Sequence, residues 1–264
     1  MSFFKRKKKP ESNHYGWFGD YKNWDELVAG SGGYESSNIL EKTKEALLKI
    51  KNGEAVYERD SVLFDKKIYP YSIISSLLYV SIHCGNQLNI IDFGGSLGST
   101  YYQVKDFIPS EIDVHWSVVE QKNYVTCGQE TFQNESLKFH ETIAESLASK
   151  RADILLLSGV VQYLEKPHEF LAGLAAFDFK FILIDRTAFI CNNQADRLTL
   201  QIVPPTIYEA QYPSWFFNEQ LFLEHFKNYA LKAEFDSYVP GEQDIHIDHQ
   251  VQGYDKGFFL IKKG

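Results

Sequence analysis

The chain has 264 residues, of which 44% are hydrophobic and 15% aromatic. This composition suffices for a packed core and excludes a wholly disordered chain, and no apolar run reaches the roughly 20 residues that a membrane span needs. The formal net charge of −8 argues against a nucleic-acid partner, because an acidic body repels phosphates. Three widely separated cysteines, Cys84, Cys127 and Cys191, indicate reduced thiols in a cytoplasmic protein.

The N-terminus reads MSFFKRKKKP and sets two aromatic residues beside five consecutive cations. Residues 1–14 are predicted to form a flexible basic arm, and we expect no secretory signal because no long apolar stretch follows. A charge run of this kind is typical of a solvated tail. The alternative is weak, salt-sensitive contact of residues 3–9 with the inner face of an anionic membrane, where each cation contributes about 1 kcal/mol.

Residues 15–85 are predicted to form an N-terminal helical cap. Ser36 or Ser37 can cap a helix that extends to about Ile50, since apolar residues recur there at helical spacing. A second helix is predicted from about Tyr71 to His83, with an almost wholly apolar surface.

From residue 86 onward, short apolar strands alternate with helical patterns. The predicted strands are Leu88–Phe93, Val114–Glu120, Leu137–Phe139, Ile154–Leu157 and Phe181–Ile184. The predicted helices span residues 100–107, 122–132, 142–149 and 167–176. Apolar strands separated by helices indicate a parallel sheet with helices on both faces.

Two further strands, Tyr229–Tyr238 and Phe258–Lys262, are predicted near the C-terminus, with a long polar connection over residues 239–257. Since the connection leaves no room for a crossover helix, we expect an antiparallel hairpin. The predicted fold class is α/β. It is a doubly wound, mostly parallel seven-stranded sheet over residues 86–264, with the antiparallel hairpin at its C-terminal end and the helical cap before it.

Residues 90–100 read IIDFGGSLGST, an apolar strand followed by a turn with three glycines in five positions. Glycine there allows either a tight strand-to-helix turn or a close approach of the backbone to a ligand. A nicotinamide dinucleotide fingerprint needs glycine at positions 94, 96 and 99. The chain satisfies only the first, with Ser96 and Ser99 at the others. This disfavours a nucleotide-dependent oxidoreductase.

Two carboxylates near the turn favour a different ligand. Asp92, two residues before the first glycine, suits a cationic group or braces the loop. Glu120 ends the next strand, where a carboxylate can bind both hydroxyls of a ribose. A nucleoside with a positive, phosphate-free tail fits both carboxylates, and S-adenosylmethionine is such a ligand.

Several stretches also carry a resemblance to known proteins. They are GWFGDY (16–21), EAVYERDSVLFD (54–65), DFGGSLGSTYY (92–102), VVEQ (118–121), LLLSGVVQYLEKP (155–167), IDRTAF (184–189) and VPPTIYEAQYPSWFF (203–217). Over residues 88–190 the chain resembles class I S-adenosylmethionine-dependent methyltransferases. Nearly end to end, it resembles a family of bacterial proteins assigned as methyltransferases and found with surface-polysaccharide genes. It departs from the common D-x-G-x-G-x-G of the class at Ser96.

The resemblance implies the positions of the cofactor-binding residues. The glycines would let the backbone reach the methionine moiety and the ribose. Residues after the second and third strands would border the adenine, and residues after the fourth strand would form the floor of the cofactor site. The full set is Asp92, Gly94, Gly95, Ser96, Gly98, Glu120, Gln121, Thr142, Ser158, Gly159 and Gln162.

Methyl transfer to a hydroxyl requires a group that removes its proton. Asp185, at the end of the fifth predicted strand, is the candidate base, and Arg186 can bind an anionic group of the acceptor. The alternative for this pair is a local ion pair that closes the strand. His168, at a helix start, is a second candidate base, and Glu209 is a third.

The proline-interrupted aromatic stretch over residues 203–217 is predicted either to line a sugar site or to form a hydrophobic flap. The residues with sugar-binding chemistry are Tyr208, Glu209, Tyr212 and Trp215. The segment DIHIDH (244–249) carries metal-ligand residue types, but no second cluster completes a shell. We interpret it as part of a polar connection and expect no metal.

The predicted function is S-adenosylmethionine-dependent O-methylation of a saccharide or glycan precursor of a bacterial surface polysaccharide. Two alternatives remain open, a nucleotide-dependent oxidoreductase and a non-catalytic scaffold in a polysaccharide assembly complex.

Overall fold

The computed structural model describes residues 14–28, 37–208 and 210–264. All but the last residue of the predicted basic arm therefore lies outside the described ranges, as does Glu209. The described strands form one eleven-stranded mixed sheet and a separate two-stranded hairpin. No helix in these ranges has both the length and the apolar character to cross a membrane.

The elements follow each other in the order expected of an α/β protein. In the described ranges the helices are α1 (Trp24–Val28), α2 (Ser37–Lys51), α3 (Tyr71–His83), α4 (Ser99–Val104), α5 (Lys122–Thr131), α6 (Ile143–Ser149), α7 (Pro167–Gly173) and α8 (Glu219–Glu224). The strands are β1 (Gly16–Tyr21), β2 (Tyr57–Arg59), β3 (Val62–Phe64), β4 (Gln87–Phe93), β5 (Asp113–Val119), β6 (Leu137–His140), β7 (Ile154–Ser158), β8 (Phe181–Ile190), β9 (Arg197–Val203), β10 (Ala210–Phe216), β11 (Tyr229–Asp236), β12 (Ile245–Ile247) and β13 (Gln250–Lys262).

Five strands, in the order β6-β5-β4-β7-β8, form a parallel half of the sheet. Successive side chains of a strand point to opposite faces. Ile90 therefore packs with α3 and α5 on one face, while Ile91 packs with α6 and α7 on the other. Helices cover both faces, so the doubly wound arrangement predicted for this half is confirmed. The two predicted cap helices also form, as α2 and α3.

The predicted seven-stranded, mostly parallel sheet is wrong in size and character. Beyond β8 the sheet continues as β13, β12, β1, β9 and β10, with β11 also on β13, and most of these pairings are antiparallel. We call this part the antiparallel extension. The predicted C-terminal hairpin is confirmed within it, since β11 and β13 pair antiparallel.

Most of the antiparallel extension escaped sequence prediction because its strands are short or of mixed polarity. The polar connection predicted at 239–257 contains β12 and the first part of β13, and the predicted flap at 203–217 contains all of β10. Pro213 lies in β10, an edge strand, where proline is tolerated. The predicted cap is not wholly helical, since it contributes β1 to the main sheet and the β2–β3 hairpin.

The β2–β3 hairpin carries part of the cap to the carboxyl ends of the parallel strands. Arg59 pairs with Val62, which leaves Asp60 and Ser61 as the two turn residues, with φ of 51° and 68°. Positive φ at both positions matches a type I′ turn, which glycine or asparagine normally occupies. Non-glycine residues at such φ values indicate strain, which often marks a functional segment.

Candidate functional site

Three connected cavities open at the carboxyl ends of the parallel strands, where ligands bind in open α/β sheets. The inner cavity, of about 80 Å³, lies between the glycine turn after β4 and the β2–β3 hairpin. The lateral cavity, of about 280 Å³, lies beside the end of β5. The outer cavity, of about 550 Å³, extends toward the antiparallel extension. Gly159, directly after β7, lines all three.

The glycine turn has the close packing that its sequence implies. Gly94 has φ of 71°, and a Cβ added there would lie 2.2 Å from a methyl carbon of Val160. A Cβ on Gly95 would lie 2.5 Å from the carboxyl carbon of Asp92. Ser96, at the position that is glycine in the common methyltransferase motif, adopts φ of 55°. Ser96 therefore adopts the left-handed conformation, which costs a non-glycine residue about 1–2 kcal/mol.

Asp92 packs against Gly95 of this turn and lines the inner cavity. It is 1% exposed, and the Trp116 Nε1–H donates a 2.9 Å hydrogen bond to its Oδ2. Burial raises the pKa of Asp92 to about 7, the hydrogen bond from Trp116 opposes this rise, and the charge of Glu120 adds to it. The two roles considered for this carboxylate from sequence are therefore compatible.

Glu120 and Gln121, two of the predicted cofactor-binding residues, line the lateral cavity. The Gln121 N–H donates to Glu120 Oε2 at 2.7 Å, and burial raises the pKa of Glu120. The other walls are largely apolar and include Phe93, Val119, Val160 and Leu164. A carboxylate at the edge of a flat apolar slot can bind hydroxyls while an aromatic ring enters the slot.

Thr142 lies outside the three cavities, although sequence placed it at the cofactor. Its Oγ1 accepts a 3.1 Å hydrogen bond from the Glu145 N–H and caps α6. Its neighbour Glu141 lines the lateral cavity instead.

Arg186 lies in a β-bulge, where residues 185–186 of β8 oppose Gly257 of β13 and the register shifts. Its φ is 46°, a strained value for a long side chain, and bulges of this kind redirect side chains next to active sites. The side chain is 17% exposed and lies 3.8 Å from an oxygen of Asp60 and 3.6 Å from one of Asp185. It lines the inner and outer cavities.

Asp185 is buried beneath this bulge and is not among the residues that line the three cavities. The Ser158 Oγ–H donates to its Oδ2 at 2.8 Å, and burial raises its pKa. Ser158 itself lines the inner cavity. Gln162 lines the outer cavity and donates from Nε2 to the carbonyl of Arg186 at 3.0 Å.

The outer cavity holds a pair of carboxyl groups that sequence analysis missed. Glu242 and Asp255 both line it, and their carboxyl groups are close enough to interact. Asp255 is 8% exposed, and burial and the neighbouring charge of Glu242 raise its pKa well above the usual range. Its Oδ1 has no hydrogen-bond partner among the described residues. Ser237 donates to Glu242 Oε2 at 2.5 Å.

Tyr208 and Tyr212 line the outer cavity as predicted, with their hydroxyl oxygens 3.1 Å apart. Two other candidates lie elsewhere. Trp215 donates from Nε1 to the carbonyl of Leu164, and it lines none of the three cavities. His168, also remote from them, contacts His225 at 2.8 Å.

The β2–β3 hairpin supplies further residues that sequence analysis did not assign. Glu58 lines the inner cavity, while Arg59 and Asp60 line both the inner and the outer cavity. The available signal was the stretch EAVYERDSVLFD, which carries part of the family resemblance but has no glycine or strand-end pattern to suggest a role.

The DIHIDH segment forms β12 and the turn that follows it. Asp248 accepts a 2.9 Å hydrogen bond from the Gly19 N–H and pairs with Arg197, while the His249 ring packs on Phe18. In the part of the chain that the structure describes, no three metal-ligating side chains gather in a suitable group.

No protein-family model matches the chain, and no curated protein matches its sequence. Among solved structures it is similar to the 1,6-didemethyltoxoflavin-N1-methyltransferase of Burkholderia thailandensis, at 12% identity and a TM-score of 0.42, over 85% of this chain and 88% of that one. It is similar to the N-terminal domain of EvdMO1 with S-adenosylhomocysteine and D-fucose, at 10% identity and a TM-score of 0.46, over 87% and 100%. It is also similar to the magnesium protoporphyrin IX methyltransferase of Synechocystis PCC 6803, at 10% identity and a TM-score of 0.47, over 84% and 97%. At identities this low the likeness concerns the backbone fold alone.

Proposed function

We propose that the protein is an S-adenosylmethionine-dependent methyltransferase. The observation that carries the proposal is the placement of a glycine turn and the Glu120 carboxylate at the ends of adjacent parallel strands, around adjoining cavities. Glu120 would bind the ribose hydroxyls, and the apolar lateral cavity would hold the adenine. The inner cavity would hold the methionine moiety against Gly94 and Gly95.

The bound cofactor supplies a methyl group on a positively charged sulfur. The carboxylates around the inner cavity suit such a ligand better than a pyrophosphate, which Asp92 and Glu58 would repel. This distinction, together with Ser96 and Ser99 in the turn, favours the methyltransferase over a nucleotide-dependent oxidoreductase.

We propose a saccharide or glycan precursor of a bacterial surface polysaccharide as the acceptor, bound in the outer cavity. Tyrosines 208 and 212 offer rings for apolar sugar faces, and buried carboxyl and amide groups offer partners for hydroxyls. Arg186 would bind an anionic group such as a phosphate or carboxylate of the acceptor. The basic arm would bring the enzyme to acceptors carried at a membrane surface.

Methylation of a hydroxyl then needs a proton acceptor, and the Glu242–Asp255 pair suits this role better than Asp185. The pair lines the cavity, while Asp185 is engaged by Ser158 beneath the bulge. Two adjacent carboxyl groups hold one proton and one charge, so the pair can take a second proton. During methyl transfer from the bound cofactor, this pair would take the proton that the acceptor hydroxyl gives up.

Two measurements test the proposal. Calorimetry with S-adenosylmethionine, S-adenosylhomocysteine and the nicotinamide dinucleotides should show binding of the first two only. Labelled methyl transfer to a panel of sugar nucleotides, sugar phosphates and glycan extracts should then show product. Binding without any transfer would favour the scaffold alternative, whereas binding of a dinucleotide alone would favour the oxidoreductase.

A further inference from the structure

The β2–β3 hairpin presents two adjacent, oppositely charged side chains to the inner cavity. Its strained turn is fixed by aromatic packing, since the rings of Tyr57 and Phe64 stack with centroids 5.4 Å apart. The Gln103 side chain of α4 donates to the Tyr57 hydroxyl at 3.0 Å and ties the hairpin to the helix after the glycine turn. The hairpin therefore has a defined position opposite that turn.

Glu58 is only 4% exposed, and its two carboxyl oxygens differ. The Ser61 N–H donates to Oε1 at 2.9 Å, and the Ser99 hydroxyl lies near the same group. Oε2 has no hydrogen-bond partner in residues 14–28, 37–208 and 210–264. A buried carboxyl oxygen left unpaired is costly, and a cationic donor in the inner cavity would satisfy it.

Arg59 shows the complementary feature. Its guanidinium carbon lies 5.0 Å from the centroid of the Phe64 ring, which orients the planar group, and Nε lies 3.7 Å from a carboxyl oxygen of Asp60. Nη1 is buried and finds no acceptor in the described part of the chain. An anionic acceptor in the cavity would pair with it.

We propose that Glu58 and Arg59 bind the amino acid end of S-adenosylmethionine, Glu58 accepting from its ammonium group and Arg59 donating to its carboxylate. This inference rests on the proposed function. One unpaired acceptor and one unpaired donor on adjacent residues match a zwitterion rather than a phosphate, which the nearby carboxylates would oppose. The inner cavity also lies on the far side of Gly94 from the lateral cavity, as the methionine moiety requires.

The test compares two nucleosides that differ only in the amino acid end. S-adenosylhomocysteine carries this end, and 5′-methylthioadenosine lacks it. By calorimetry, Glu58→Gln and Arg59→Gln should each weaken S-adenosylhomocysteine binding about tenfold to hundredfold, the range for hydrogen bonds to charged groups. Affinity for 5′-methylthioadenosine should stay within about threefold. Lys66→Ala, which removes an exposed cation just beyond β3, is the matched control and should change neither affinity.

Thermal unfolding of each variant separates a lost contact from a lost fold. If Arg59→Gln does not fold, Arg59→Lys keeps the charge and the packing stem, and should still lose several-fold affinity for S-adenosylhomocysteine alone. Unchanged affinity in folded variants would overturn the proposal, and so would equal weakening of both nucleosides. A wild-type protein that binds neither nucleoside would instead refute the proposed function itself.

Discussion

The parallel half of the sheet and the antiparallel extension contribute residues to the three cavities in different ways. The parallel half carries the proposed cofactor side, where Gly94, Glu120 and Gly159 each directly follow a strand. The proposed acceptor side is the outer cavity, which draws residues from distant segments, among them Tyr208 and Asp255. Residues at the ends of parallel strands can therefore be predicted from the sequence, whereas residues that meet across an antiparallel extension cannot.

The two sides also differ in electrostatics. Asp92 is buried in β4, and Glu120, which directly follows β5, adds to its raised pKa. Glu242 and Asp255 interact in the outer cavity, and the charge of Arg186 acts on both. Under the proposed function, the first two carboxyl groups would bind the cofactor and the second two would accept the proton.

The largest expected effect tests whether chemistry belongs to the acceptor side. Glu242→Gln combined with Asp255→Asn keeps the shape of the pair but leaves no carboxyl group to take the proton, so turnover with an identified acceptor should fall about 10²–10⁴-fold. Affinity for S-adenosylhomocysteine should be unchanged. Asp185→Asn is the matched control in the parallel half, and it should lose less activity. A larger loss in Asp185→Asn would move the base to that half.

The second prediction concerns pH and the free energy of unfolding. Burial raises the pKa of Glu58 from 4.5 to about 7, and the charge of Asp60 adds to this rise. Hydrogen bonds from Ser61 and Ser99 and the charge of Arg186 oppose it. Between these values the folded state holds a proton that the unfolded state releases. The contribution of Glu58 to stability is therefore present below pH 4.5 and is lost as pH rises toward 7.

The Glu58→Gln variant has no carboxyl group at this position, so this pH-dependent loss of stability should be absent from it. Relative to the variant, the wild-type protein should lose about 3 kcal/mol of unfolding free energy between pH 4 and pH 8, at roughly 1.4 kcal/mol per pH unit of pKa shift. Urea denaturation at several pH values measures the difference. Parallel stability curves for the two proteins would contradict the burial of an unpaired carboxyl in the inner cavity.

The third prediction tests the cofactor side directly. Glu120→Ala should weaken S-adenosylhomocysteine binding by about 1.5–3 kcal/mol, since it removes hydrogen bonds to a charged group. The fold should remain intact by circular dichroism. Thr142→Ala is the contrasting variant, because it removes a helix cap outside the cavities and should lower stability by about 1 kcal/mol without changing affinity. Equal affinities of wild type and Glu120→Ala would remove Glu120 from the site.

The smallest effect concerns the strained glycine turn. Glycine accepts φ of 55° without a Cβ penalty, so Ser96→Gly should raise the free energy of unfolding by about 1 kcal/mol. Urea denaturation of the two proteins measures the difference. A decrease in stability would show that the Ser96 side chain makes a contact worth more than the strain it imposes.

The sequence by itself determined the parallel half of the fold and placed the glycine turn and Glu120 at the ends of its strands. Apolar strands such as β4 and β7 are buried on both faces. Their hydrophobic runs and the helices between them can therefore be recognised in the sequence. The glycine turn and Glu120 followed, because a residue at the end of a parallel strand has its position fixed by the fold class.

Only the tertiary structure decided most of the antiparallel extension and the pairing of Glu242 with Asp255. Half-buried strands such as β10 mix polar and apolar residues, and their pairing depends on distant partners that composition does not reveal. Asp255 and Arg59 lie 196 positions apart in sequence and meet only when β13 and the β2–β3 hairpin converge on the outer cavity. The bulge that contains Arg186 arises from the register of β8 against β13. This register is fixed only when the two strands pair in the folded protein.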